Sequence, residues 1–417
     1  MSPLPSTEPP TRARRTLLQL MLALAVITYF DRVAISAASP AIVSELHLTP
    51  IQMGWVFSVF TFAYAAFEIP SGWLGDVIGP RKVITRIVVW WSACTALTGA
   101  AWSFGSLLVT RLLFGVGEAG AFPNMSRSFS AWIPVDERGS AHGLVIMGTR
   151  VGGALTPPLM VALMAWLGWR TSFAALGVLG LAWAVLWWRW FTDDPASHPS
   201  VNAAELAEIR RGRSSAAAPP DDWRELLSPN LLFICLMYFC GAYALYFNLT
   251  WLPLYLRDAR GFSTQQAALG SGVVLMGGAL GTWAGGWLTD ALARTRSLRI
   301  ARSIGVVALP ASGGLLFAAS RVDDPIATIV LLTLTLAIAD LTMAPSWSLC
   351  HDVGGSRAGV VTGAMNTFGN IGGALSPLIV GYSVQDFHSW TLPFHVTAVV
   401  YVLGGLFTLA IDPARRR

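Results

Sequence analysis

Several ionisable side chains stand deep inside long apolar runs of this sequence, among them Asp31, Arg32, Glu68, Arg111, Glu118, Arg150 and Asp340. Placing one such group in hydrocarbon costs at least about 2.5–3.5 kcal/mol on insertion scales, so each must be paired or face a cavity. The residue types indicate the chemistry. A guanidinium stays charged when desolvated and offers a carboxylate two parallel hydrogen bonds, which suits capture of an organic anion. A buried carboxylate beside an arginine is pulled both ways, since burial favours its neutral form and the cation its charged form, and this suits carriage of a proton. For any one residue, a helix-locking ion pair competes with that reading. For a set concentrated in the first half of the chain, a functional site is favoured.

Spacing refines the set. Glu118 follows Arg111 by seven residues, two helical turns, so both project from one face with the carboxylate about 10 Å farther along. At about 1.5 Å per residue, Asp31 and Arg111 lie about 21 and 22 Å from the same membrane surface, a level at which they can meet. Arg150, about 11 residues into its run, is near the midplane. Glu68 and Asp340 fall in the half nearer the cytoplasm, where a gating pair competes with ligand contact. Asn366 and Asn370 are four apart on one helical face, placed either to bond ligand hydroxyls or to pack a neighbouring helix. Trp251 and Trp347 are candidate cavity walls, although most of the 18 tryptophans must be interfacial anchors or lipid contacts.

The elements that position these residues are membrane spans. The chain is 54% hydrophobic and only 12% charged, against about a quarter charged in a soluble domain. Apolar windows of the ~20 residues needed to cross hydrocarbon fall near 17–37, 53–74, 83–104, 106–129, 139–165 and 171–191, then 231–253, 265–288, 302–320, 326–349, 357–382 and 392–411. This predicts an all-α membrane protein of twelve transmembrane helices in two six-helix bundles, 1–192 and 231–417, joined by a polar linker, 193–230. Arg12, Arg14, Arg15, Arg81, Lys82, Arg210, Arg211, Arg213, Arg294, Arg296, Arg299 and Arg415 to Arg417 gather on one side, so both termini and the linker are expected in the cytoplasm. The basic start followed by an apolar run lacks a small-residue cleavage site and reads as an uncleaved first helix. GWLGD at 72–76 recurs as GWLTD at 286–290, an offset of 214, and GGALTP at 152–157 as GGALSP at 372–377, an offset of 220. The copies lie on helices of equal orientation, so the repeats are parallel about an axis along the membrane normal.

The segment GWLGDVIGPRK (72–82) resembles the cytoplasmic loop signature of the major facilitator superfamily, in which Asp76 and Arg81, echoed by Asp290 in the second copy, would latch one conformation. YFDR (29–32), FAYAAFEIPSGWLGD (62–76), RLLFGVGEAGAFP (111–123) and MNTFGNIGGALSP (365–377) resemble its anion:cation symporter family of sugar-acid, phthalate and sialin-like carriers. That resemblance implies proton-coupled uptake of a carboxylate by alternating access. It implies that Arg32 receives the substrate carboxylate, that Asp31 and Glu118 carry protons, and that Tyr29 and Tyr64 line the cavity. Arg150, Asp340 and Glu68 depart from the family pattern.

Other classes fit less well. The net charge of +5 is spread over short loops rather than gathered in a patch for nucleic acid. Cys94, Cys235, Cys240 and Cys350 sit in apolar runs without C-x-x-C spacing, so neither disulfide nor metal is implied. No nucleophile elbow, metalloprotease helix or Walker loop marks an enzyme or an ATP-driven pump. A channel suits duplicated halves with midplane charges less well than a carrier does. A drug/proton antiporter of the same superfamily is the runner-up, disfavoured by the intramembrane arginines. The expectation is a monomeric carrier in the inner membrane, without cofactor, that takes a small organic anion with protons, Arg111, Arg150, Asn366 and Asn370 joining Arg32 at the substrate.

Overall fold

The computed structural model describes residues 9–134, 137–211, 228–354 and 358–412. Part of the predicted linker (212–227) and the basic residues Arg213, Arg415, Arg416 and Arg417 lie outside the described residues. The chain is helical: α1 (Ala13–Leu46), α2 (Pro50–Ile78), α3 (Pro80–Gly99), α4 (Phe104–Glu118), α5 (Ala121–Trp132) and α6 (Arg138–Trp190) come first. The short α7 (Ala203–Arg210) follows, then α8 (Pro229–Thr250), α9 (Leu252–Asp258), α10 (Thr264–Thr295), α11 (Leu298–Arg302), α12 (Gly305–Ala319), α13 (Pro325–Asp340), α14 (Met343–Gly354), α15 (Ala358–Asp386) and α16 (Thr391–Leu409). Nine helical stretches among the described residues are long and apolar enough to cross a membrane. One of them, α6, holds two crossings joined at Gly168, whose φ of 71° turns the chain. With that division, α3 of 20 residues and α15 of 29 residues complete the twelve crossings.

The helix ends follow from local chemistry. At the membrane face opposite the termini, α2, α4 and α10 each begin with a capping box, Thr49 with Gln52, Ser103 with Ser106 and Ser263 with Gln266, which satisfies backbone donors that hydrocarbon would leave unmet. At the terminal face, α2 passes to α3 through Gly79 at φ 87°. A Cβ there would lie 2.4 Å from Asp193 Oδ2, so the glycine serves both the turn and the close approach. Large apolar side chains such as Trp166, Trp283, Trp287 and Ile326 point away from the interior, as contact with lipid requires.

Helices α1 to α6 pack chiefly on one another, as do α8 and α10 to α16. The polar segment between them is not a featureless tether: α7 docks on α1, where Glu205 accepts from the backbone N–H of Ala13 at 3.1 Å and of Arg14 at 3.0 Å. Contacts between the two sets concentrate on α2 with α15, α6 with α10 and α1 with α9. At the opposite face they are backbone-close, since a Cβ added to Gly54 would meet Pro377 O at 2.8 Å and one added to Gly381 would meet Pro50 O at 2.7 Å. Across the same seam Ser36 Oγ donates to Thr250 O at 2.6 Å and Phe57 of α2 meets the Trp251 ring edge-on at 5.6 Å, while Trp251 Nε1 donates to Pro377 O within its own set at 3.1 Å. Trp251, a candidate cavity wall, is thus part of this closure. Toward the terminal face, α5 packs chiefly on α2, α3 and α6 of its own set.

Gly54→Val tests that closure. Overpacking the seam costs about 1–3 kcal/mol, enough to disfavour the closed seam by about tenfold. The variant is expected to purify as a monodisperse protein yet to label faster at a cysteine introduced beside Trp251, an assay in which unchanged labelling would mean that the seam is not a moving contact.

Candidate substrate and proton site

Successive residues of a helix point about 100° apart, and α1 uses this at Asp31 and Arg32. Arg32 turns toward the interior between the two helix sets and is 10% exposed, while Asp31, at 2%, turns into its own set. Arg32 Nε donates to Glu118 Oε1 in a short ion pair whose acid is wholly buried. Around the guanidinium stand four rings, with Tyr64 at 4.6 Å, Tyr29 and Phe60 at 5.3 Å each and Phe122 at 5.8 Å from ring centroid to Cζ. These rings hold the cation by cation–π attraction without consuming its donors, and Nη2 of Arg32 is left buried with no hydrogen-bond partner.

Arg111 lies deeper. Its guanidinium stands 4.4 Å from the Phe114 centroid and 5.0 Å from that of Phe60, so Phe60 touches both cations, and Arg111 is only 2% exposed. Here the structure corrects the depth argument. Asp31 and Arg111 are close enough to interact electrostatically, with Thr95 also beside the acid, but no hydrogen bond joins the two. The close pair is Arg32 with Glu118. Counting residues gives the level of a side chain and not its direction around the helix. Arg111 lies behind Phe60 and Phe114 within its own helix set and does not share the position of Arg32.

Both acids at the centre stand where a helix breaks. The predicted fourth span is two helices, α4 ending at Glu118 and α5 beginning at Ala121, with Gly120 at φ 86° between them. A Cβ on Gly120 would lie 2.4 Å from Ser71 Cβ, which explains the glycine. The predicted tenth span breaks likewise, α13 ending at Asp340 and α14 resuming at Met343. Interrupted helices expose backbone dipoles within a membrane protein, and they cluster at transport sites.

Asp340 and Glu68 have different partners. Asp340 meets Arg150 of α6, with Nη2 3.1 Å from Oδ2, and their side chains are 6% and 7% exposed. This pair joins the two helix sets. Glu68 of α2 makes a second junction, accepting from Asn366 Nδ2 at 2.8 and 2.9 Å and from Asn370 Nδ2 at 3.3 Å on α15. The asparagines therefore spend their donors on a carboxylate of the chain itself. Two tyrosines of α8 that the sequence reading missed complete the site: Tyr246 interacts electrostatically with Arg32 and Tyr29, and Tyr238 with Tyr29 and Arg150. They are eight residues apart and share a helical face. Trp347 meets Tyr238 edge-on at 6.4 Å.

The Major Facilitator Superfamily model matches residues 21–377. The chain belongs to that superfamily. It is 40% identical over 96% of its length to the "Probable sulfoacetate transporter" of Cupriavidus necator, covering 94% of that protein. It is 30% identical to the D-galactonate transporter of Escherichia coli, over 98% of this chain and 97% of that one. The hexuronate transporter of Bacillus subtilis is also 30% identical, over 91% and 90%. A bacterial homologue of the human lysosomal transporter Spinster, solved in an inward-facing and occupied conformation, shares the fold with a TM-score of 0.80, 18% identity and 97% of each chain covered. The protein is thus a multi-pass membrane transporter and not an enzyme.

The superfamily loop is held within the first helix set. Asp76 forms a short ion pair with Arg127 at the terminal end of α5, rather than with the adjacent Arg81 and Lys82. Arg81 instead caps α6, donating to Trp188 O from Nε at 3.2 Å and from Nη2 at 2.5 Å, while its backbone N–H donates to Asp193 Oδ1 at 2.8 Å. Asp290, the second-copy residue, is exposed and finds no ion-pair partner among the described residues. The neighbouring pair there is Arg302 with Asp352 at 2.7 Å.

Removing one member of a buried ion pair leaves the other uncompensated and typically costs about 3–5 kcal/mol. Arg32→Ala should therefore lower the thermal unfolding temperature of the purified protein at pH 7.5, and adding Glu118→Gln should restore most of the loss. A single variant as stable as the wild type would mean that water, rather than Arg32, compensates Glu118.

Proposed function

We propose that the chain is a proton-coupled symporter of a small organic anion, in which Arg32 receives the anion and Glu118, with Asp31, carries the proton. The observation that carries this reading is the Arg32–Glu118 pair, a fully buried carboxylate bonded to a partly open guanidinium whose Nη2 remains unpartnered. A substrate carboxylate arriving at Arg32 competes with Glu118 for the same cation. Its negative charge beside Glu118 favours protonation of that acid, and a neutral Glu118 releases Arg32 to the substrate. Proton and anion then promote each other's binding, the reciprocity that symport requires. Asp31, buried with Thr95 and Arg111 beside it, is placed to hold a second proton. The sulfoacetate, galactonate and hexuronate in the names of the relatives are all organic anions, which supports the class.

In this reading the bundles 1–192 and 231–417 rock about the site while the linker 193–230 spans them. The protein works as a monomer in the bacterial inner membrane. With both termini in the cytoplasm, the closed seam of Gly54, Trp251 and Gly381 faces outward, and the chain stands in an inward-facing state. A drug/proton antiporter would need a pocket for lipophilic cations, whereas here the partly open charge is a guanidinium with an unused donor.

Glu118→Gln mimics the permanently protonated acid. In proteoliposomes it is expected to exchange internal for external anion at a rate within about tenfold of wild type, because substrate can still bind Arg32, and to lose accumulation driven by an imposed pH gradient. Accumulation equal to wild type would place the proton elsewhere.

A further inference from the structure

Arg32 and Arg150 each keep one buried donor, Nη2, without a hydrogen-bond partner, and Tyr29 relates them. Tyr29 lies 5.3 Å from Arg32 Cζ, measured to its ring centroid, and also interacts electrostatically with Arg150. The approach of α6 makes this possible, because a Cβ added to Gly153 would reach the Tyr29 ring at 3.4 Å, bringing Arg150 one turn away onto the same wall. Each cation has a resting acid, Glu118 for Arg32 and Asp340 for Arg150, yet Nη2 of both arginines makes no hydrogen bond. The Arg150–Asp340 contact at 3.1 Å is Coulombic without alignment. An anionic group presenting two oxygens would use the guanidinium fork better than Asp340 does.

The opposite wall carries the complementary information. A ligand with a chain of hydroxyls needs hydrogen-bond donors and acceptors along its length, and the amides on this wall, Asn366 and Asn370, donate to Glu68. A hydroxyl would have to displace a charge-assisted bond to reach those amides.

We infer that the substrate is a compact doubly anionic molecule, one anionic group bound by Arg32 and the other by Arg150, rather than a singly charged polyhydroxy acid. This rests on the proposed anion site at Arg32 and names the class of anion that site takes. It gives Arg150 the role of specificity determinant and Asp340 that of a placeholder which the second anionic group displaces. Since Arg150 and Asp340 belong to different helix sets, displacement also breaks a tie between the bundles, so only a substrate with two charged ends both fills the site and unlocks it.

The test is direct binding to the purified wild-type protein by titration calorimetry, with sulfoacetate and succinate as dianions and propionate and D-galactonate as monoanions. Each hydrogen bond to a charged group is strong enough to separate ligands by about tenfold or more, so both dianions should bind at least that much tighter than either monoanion. In Arg150→Gln the ratio should fall to about one. In Asp340→Asn, which removes the competing carboxylate, dianion affinity should rise. A wild-type ratio near one, a ratio that survives Arg150→Gln, or weaker dianion binding in Asp340→Asn overturns the inference, while anion binding of any kind leaves the Arg32 site standing. If no anion of either class binds, the organic-anion reading falls and this inference with it.

Discussion

A guanidinium or carboxylate in hydrocarbon has to be matched, and each match in this protein fixes the position of a helix. Arg32 with Glu118 joins α1 to the end of α4, Arg150 with Asp340 joins α6 to the end of α13, and Glu68 with Asn366 and Asn370 joins α2 to α15. The first match lies within one helix set and the other two cross between sets. Charge neutralisation therefore does two separate jobs: it holds the first bundle together around the site, and it ties the bundles to each other in the state described here. Because buried pairs of this kind contribute little net stability over an apolar replacement, their presence is better explained by a need to rearrange than by a need for strength.

The internal repeat gives the arrangement its logic. Asp340 lies 222 positions after Glu118, beside the offsets of the two sequence echoes, and each stands as the last residue of a helix before a break. The two halves thus place an acid at the same structural position and use it differently, Glu118 toward an arginine of its own half and Asp340 toward an arginine of the other. A duplicated scaffold holds one acid paired within its own half and one acid that ties the two sets.

Much of this was legible in the sequence. The apolar windows gave the spans, the echoes of GWLGD and GGALTP gave the repeat, and the cost of buried charge singled out the ionisable residues within them. Partner choice was not legible, because Asp31 and Arg32 share a depth and differ by one step of rotation. That single step sends Arg32 to Glu118 and leaves Asp31 beside Arg111. The breaks after Glu118 and Asp340 were hidden too, since hydropathy runs smoothly across them; in the fourth span the pair Gly117 and Gly120 flanking the acid was the available signal. Tyr246 could have been found, for it lies 217 positions after Tyr29, within the range of the repeat offsets. The engagement of Asn366 and Asn370 by Glu68 was beyond reach, because the residues are some 300 apart along the chain and stand on helices of different sets.

The central claim is that anion binding at Arg32 and protonation of Glu118 are one coupled event. It is tested most directly by adding the tightest-binding organic anion to purified protein in weakly buffered solution near neutral pH and following free protons with an indicator dye. The account predicts net proton uptake on binding by the wild type and none by Glu118→Gln. Saturable anion binding without proton uptake, or equal uptake by Glu118→Gln, would contradict it.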